Sequence, residues 1–219
     1  MNALPSLIAL AALLSACSPA PKPAREAAAA PQAPADAPAG EYTMDPAHTS
    51  LNFRIDHMGL SHYTARFTRL DGKLAFDPAN PGAQSVTATI DAGSLQTNYP
   101  DPAKLNFDAQ VETEFLETAK FPRITFRSTK VEPTGARTAR ITGDLTLHGV
   151  TRPVTLEATF NGGYKAGGMD PMGARIGVSA KGSFRRSEFG IAYGLPAPGT
   201  TMGVGDLIDV AIEGEFTKK

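Results

Sequence analysis

From residue 41 onward, apolar and polar side chains alternate in short runs. This is the signature of strands with one face in a core and the other in water. In 50–57 (SLNFRIDH), Leu51, Phe53, Ile55 and His57 share one face, and Ser50, Asn52, Arg54 and Asp56 share the other. Val86, Ala88 and Ile90 alternate with Thr87, Thr89 and Asp91, and the rhythm returns at 141–147, 154–160, 176–184 and 208–216. Turn chemistry is expected at Asp71-Gly72, Asp77-Pro78, Asn80-Pro81-Gly82, Pro133-Thr134-Gly135 and Asn161-Gly162-Gly163. Only 101–120 (DPAKLNFDAQVETEFLETAK) leaves the rhythm. Its helix formers predict one or two short helices, with Asp101 as cap, Pro102 in the first turn and Pro122 as the stop. Glu112, Glu114 and Glu117 read as a solvated face of that helix.

Many short antiparallel strands with one polar face mean an all-β sandwich or barrel. Gly143, Gly182 and Gly214 fall inside the runs and favour the barrel, where curvature needs such positions. A barrel of about eight strands either fills with side chains or holds one ligand. Periodicity does not choose between these outcomes.

The first 40 residues have another character. All 16 aromatic residues (11 Phe, 5 Tyr) lie after residue 40. Residues 1–17 (MNALPSLIALAALLSAC) carry no charge and are too short for an ordinary spanning helix of about 20 apolar residues. They read as a signal peptide. Leu14-Ser15-Ala16-Cys17 resembles the bacterial lipobox, which makes 1–16 the removed leader and Cys17 the acylated first residue. Cys17 is the sole cysteine, so no intrachain disulfide and no multi-cysteine zinc site can form. Ser18 follows it; by resemblance to Gram-negative lipoproteins, the absence of Asp there points to the outer membrane. Residues 18–40 hold 10 Ala and 6 Pro and no Val, Ile, Leu or aromatic. With nothing to build a core, 17–40 reads as a lipidated, disordered tether and 41–219 as the folded domain.

The formal net charge of −1 gives no global basic balance for nucleic acid. No nucleophile elbow, Walker loop, zinc-protease helix or EF-hand loop is present. His57 and His62 lie five apart across a loop that His48 could approach, which does not amount to a metal motif.

Several spaced motifs together resemble the YceI family. Tyr42-x-x-Asp45-x-x-His48-x-Ser50, then Phe53 and His57-Met58-Gly59, look like its opening. Arg66-Phe67, Gly72 to Asp77 (GKLAFD), 115–122 (FLETAKFP) and Ile124-Thr125-Phe126 follow in order. The run 143–154 (GDLTLHGVTRPV) carries the resemblance furthest, with 186–191 (RSEFGI) after it. Ala65 stands where the family usually has Gly, and 100–111 fits the family's helix loosely.

The resemblance implies an extended, lipocalin-like antiparallel barrel. It implies a long apolar tunnel for an amphiphile such as a polyisoprenoid, an isoprenoid quinone or a fatty-acid-like chain. It also implies a non-enzymatic protein with no cofactor, exported to the periplasm and often dimeric. Together with Cys17, it makes the chain an envelope lipoprotein acting as a lipid carrier or reservoir. A filled barrel serving as an envelope interaction module is the alternative, and an enzyme acting on lipid is a third. Candidate lining residues are Phe53, Ile55, Phe67, Phe76, Ile90, Phe126, Leu145, Leu147 and Phe189, any of which could instead simply fill the core. His57 reads as a satisfied, partly buried histidine ahead of a head-group donor. Arg186 reads as a structural ion-pair residue ahead of a head-group ligand, and His148 as the holder of a turn.

Overall fold

Eight antiparallel strands close into a barrel, and the first three are each broken by a bend. The computed structural model describes residues 35–167 and 173–219. The expected leader, Cys17 and most of the expected tether lie outside the described residues. The first strand has two legs, β1 (Gly40–Met44) and β2 (Ser50–His57). The second comprises β3 (Ser61–Phe67) and β4 (Leu70–Phe76), and the third β5 (Ser85–Asp91) and β6 (Leu95–Gln96). Unbroken strands follow: β7 (Arg123–Pro133), β8 (Thr138–Leu147), β9 (Val150–Tyr164), β10 (Ala174–Arg185) and β11 (Val204–Lys218). The barrel closes on β11, whose Ile212 faces Leu51 of β2 and whose Phe216 faces Met44 of β1. The all-β barrel expected from the sequence is therefore the observed fold.

Among the described residues one α-helix, α1 (Phe107–Glu114), lies beside β6. We call this the helix end of the barrel; it also carries the β2–β3 hairpin and the 186–203 segment. The terminal end carries the start of β1, the β4–β5 and β7–β8 connections and the C-terminus. Two clusters of buried side chains divide the interior. Phe67, Ile90, Phe126, Leu145 and Leu156 belong to the helix-end cluster, and Tyr42, Leu74, Ile176 and Phe216 to the terminal one. Burying each such side chain stabilises the fold by about 1.5–3 kcal/mol.

Local expectations differ from the structure at several places. The helix does not start at Asp101. Asn106 caps it by accepting from Ala109 N at 3.1 Å, while the Asp101 carboxylate accepts from Lys104 N in a separate turn. Glu117 lies beyond the helix, at φ 45°, and so is not on its solvated face. Two expected turns are strand instead. Gly72 sits inside β4, where a Cβ would meet Thr87 O at 2.7 Å and the Met44 methyl at 2.9 Å. Asn161-Gly162-Gly163 continues β9, and the ladder to β10 bulges there. A Cβ on Gly163 would meet the Cβ of Ala37 at 2.9 Å, so this glycine is a seat rather than a corner. Residues 35–39, from the stretch expected as tether, lie against that seat. Ala37 is buried, Asp36 N donates to Gly163 O at 3.1 Å, and Tyr42 Oη donates to Pro38 O at 2.6 Å.

Candidate functional site: the barrel lumen

The barrel does not fill itself. A cavity of about 820 Å³ is lined by residues from the helix end through to the terminal end. That volume falls within the range of about 300–1,000 Å³ usual for small-molecule sites. The inward row of each alternating strand forms the wall. Phe53 and Ile55 come from β2, Phe67 from β3, Phe76 from β4, Ile90 from β5, Phe126 from β7, and Leu145 and Leu147 from β8. All eight were expected from the sequence to face the lumen.

The lumen stays open because small residues stand where large ones would close it. Ala139, Ala158 and Ala180 are register partners across β8, β9 and β10, and all three line the cavity. One side of the bore thus carries nothing larger than a methyl group along that row. On β3, Ala65 faces Phe53 and leaves the ring room to lean on Phe67, with centroids 5.7 Å apart. Ala65 stood out in the sequence as a departure from the family's Gly, but Ala139, Ala158 and Ala180 were not named as lining residues. The signal was there: inward positions of a period-2 row occupied by Ala rather than Leu or Val.

Phe189 takes the other role left open for the lining candidates and fills the core. It closes a short 3₁₀ turn after β10, fully buried, with its ring edge-on to Phe184 at 5.3 Å, and it does not line the cavity. The turn breaks the strand's alternation and rotates the ring into the core.

Polar groups gather at the two ends of the lumen. At the helix end, Tyr63 Oη donates to Thr97 O at 2.9 Å, and the Thr97 hydroxyl donates to Asp108 at 2.5 Å. Both hydroxyl groups are therefore engaged. His57 also lines this end, yet its ring makes no hydrogen bond among the described residues. The expectation of a satisfied histidine gives way to a half-buried imidazole facing the lumen with both nitrogens available. At the terminal end, Gln84, Ser85 and Thr138 contribute to the lining.

Arg186 lines the helix end and is 3% exposed. It makes no ion pair among the described residues, contrary to the sequence reading. Its guanidinium donates to four backbone carbonyls: Gly205 at 2.8 Å, Val204 at 2.8 Å, Tyr193 at 2.8 Å and Ile191 at 3.1 Å. Burial pushes its pKa below the ordinary arginine value. The side chain ties the 191–205 segment to the end of β10. Carbonyl partners leave no mark in a sequence, which is why an ion pair looked the natural role. His148 does hold a turn, at φ 51°, with Nδ1 against Phe189 O at 3.2 Å and Nε2 against the Glu117 carboxylate at 2.5 Å.

A charge cluster lies outside the lumen. Asp45, His48 and Glu215 bring potential ligand atoms within 4.8 Å of one another. Arg175 Nη1 already donates to Asp45 at 2.7 Å and Glu215 at 2.8 Å, so a guanidinium stands where a cation would. The hydrogen bond from His48, then that from Arg175, holds the Asp45 carboxyl down at a pKa of about 2. This cluster pins the bend between β1 and β2 to β10 and β11.

Comparison with known proteins places this architecture. A UPF0312 protein of Pseudomonas putida is 39% identical over 179 residues, covering 80% of this chain and 86% of that protein. Its counterpart in Vibrio cholerae is 34% identical over 189 residues, covering 85% and 92%. The crystal structure of a Campylobacter jejuni YceI protein superposes with a TM-score of 0.62 at 28% identity, over 75% of this chain and 90% of that one. A Saccharophagus degradans domain described as polyisoprenoid-binding shares the fold, with a TM-score of 0.57 at 14% identity over 81% and 98%. The YceI-like domain family model matches residues 42–216, and with it the chain belongs to the YceI family.

Proposed function

We propose that the barrel binds a long-chain amphiphile in its lumen and serves as a membrane-tethered carrier or reservoir. The observation that carries this reading is the apolar cavity of about 820 Å³ along the barrel axis. Such a cavity has room for a chain of a few tens of heavy atoms. A longer isoprenoid would leave one end at a mouth. An apolar bore with polar groups at its ends suits a chain with a polar head, and His57 offers that head a partner. The polyisoprenoid-binding description of the Saccharophagus degradans domain points to the same ligand class.

The energetics favour exchange over permanent capture. Each CH₂ taken from water contributes about 0.8 kcal/mol. A ligand drawn from a bilayer starts in an apolar medium, so its net transfer free energy is small. Residence near a membrane then matters more than raw affinity. Export through the 1–16 leader, acylation at Cys17 and a periplasmic site at the outer membrane supply that residence in this reading.

Full-length protein isolated from cell envelopes should release a long-chain isoprenoid or acyl lipid on organic extraction, read by mass spectrometry. Finding no lipid, together with no uptake of added quinone or fatty acid, would refute the reading.

A further inference from the structure

Away from α1, the mouth at the helix end is rimmed by two loops without charge. Residues 189–205 hold no charged side chain over 17 positions, in a chain where 20% of residues are charged. Residues 58–61 (MGLS) hold none either. The two segments adjoin: Met58 N donates to Gly203 O at 2.9 Å, and a Cβ on Gly59 would meet Thr201 at 3.0 Å. Leu60 (83% exposed) and Met202 (69%) project from them into solvent. Tyr193 (54% exposed) lies edge-on against Phe115 at 4.8 Å with its hydroxyl on the Glu114 carboxylate. One exposed aliphatic side chain is ordinary. Two long ones on adjoining uncharged loops, backed by the Tyr193 ring, make an apolar rim. Its inner edge is the cavity wall, because His57, Ile191 and Val204 flank these loops and line the lumen.

We propose that this rim seats in the surface of a lipid bilayer, so that an amphiphile passes between membrane and lumen without crossing water. The proposal rests on the amphiphile reading of the lumen. A chain leaving a bilayer through water exposes CH₂ groups at about 0.8 kcal/mol each. A rim continuous with the bore removes that cost along the path. Seating these two loops is cheap for the same reason that they are unusual: they carry no charge to desolvate, and Glu114 at the Tyr193 hydroxyl marks the edge of the seated face. Protein partners are steered and registered by charge complementarity, and these loops offer none. A bilayer asks for none.

The chain outside the described residues permits this orientation. Ala35 pairs with Gly163 at the terminal end, opposite the rim. From Cys17 to residue 34 run 18 Ala/Pro-rich residues. At about 3.1 Å per residue such chain spans about 55 Å. The barrel's 15-residue β11 measures about 40 Å along the axis, at about 3.3 Å per residue and a tilt of about 40°. A chain anchored at Cys17 can therefore still lay the rim on the same bilayer.

The chain has no tryptophan, so single tryptophans report position cleanly. Leu60→Trp marks the rim, and Ala83→Trp marks an exposed turn at the terminal end. Each full-length variant is mixed with phosphatidylcholine vesicles carrying brominated acyl chains. The fluorescence of Leu60→Trp should fall at least about twofold, as for a side chain about 5–10 Å into the headgroup–acyl boundary. Ala83→Trp should change little, and adding Met202→Glu to Leu60→Trp should reverse most of the quenching. Equal quenching at both positions, as an anchor alone would give, overturns the proposal. So does no quenching at position 60. Neither readout needs a bound amphiphile. An empty lumen on extraction therefore fails the carrier reading separately, and quenching at the rim without lumen lipid sinks the transfer route.

Discussion

Ala180→Phe should shorten the ligand that the lumen accepts while leaving the barrel folded. Ala180 belongs to the alanine row that keeps the bore open and faces Ala158 and Ile212 across the ladder. The substitution adds six ring carbons. Each ring carbon displaces about one heavy atom of ligand, so the capacity of the bore falls by about six. Titration with saturated fatty acids of increasing length reads this directly. Wild-type affinity should rise about fourfold per added CH₂, the equivalent of about 0.8 kcal/mol, until the lumen is full. In the variant the rise should stop about six carbons earlier, a loss of up to about 5 kcal/mol for the longest acids. Short acids should bind as before. The ring enters empty space, so thermal stability should hold. Overpacking would instead cost about 1–3 kcal/mol, or about 2–4 °C in Tm per kcal/mol at this chain length. An unchanged chain-length profile would refute the axial-bore reasoning. Equal losses for short and long acids would mean that the barrel had distorted.

Two further outcomes follow from charged groups. Arg186→Met removes all four donors from carbonyls around a buried site and should lower stability by at least about 3 kcal/mol in chemical denaturation. Arg186→Lys should recover less than half, since an ammonium cannot reproduce the fork; a loss below about 1 kcal/mol for Arg186→Met would contradict the tie between β10 and the 191–205 segment. At Asp45 the folded pKa of about 2 lies below the ordinary 3.8, so its contribution is complete above that ordinary value and fades as pH falls toward 2. In this partly exposed cluster it is worth about 1 kcal/mol. Asp45→Asn should cost that much at pH 7 and progressively less as pH falls from about 4 through about 2, and a pH-independent cost would rule out the ionic account.

The strands were legible where a period of two was all that mattered. β2, β8, β10 and β11 each write their inward row in the sequence, and the lumen-facing Phe53, Ile55, Leu145 and Leu147 followed from it. Glycine was harder to read. Asp71-Gly72 and Asn161-Gly162-Gly163 have turn composition, but at Gly72 and Gly163 the missing side chain makes room for a neighbour across the ladder or strap. That requirement is tertiary and leaves no local sign. The hollow lumen was undecided for a related reason: Ala139, Ala158 and Ala180 lie on three strands, and only register brings them into one row. The uncharged loops at the mouth were visible as composition, but their adjoining depends on the Met58–Gly203 contact.

The position of β11 sets the order in which this molecule can come into existence. Its 15 residues follow every other strand described, yet they supply the seam against both β1 and β2, across about 150 residues of sequence or more. Joining segments so far apart is slow and depends on non-local contacts. The sheet therefore stays open until β11 has paired on both sides, and the interior cavity exists only from that step on.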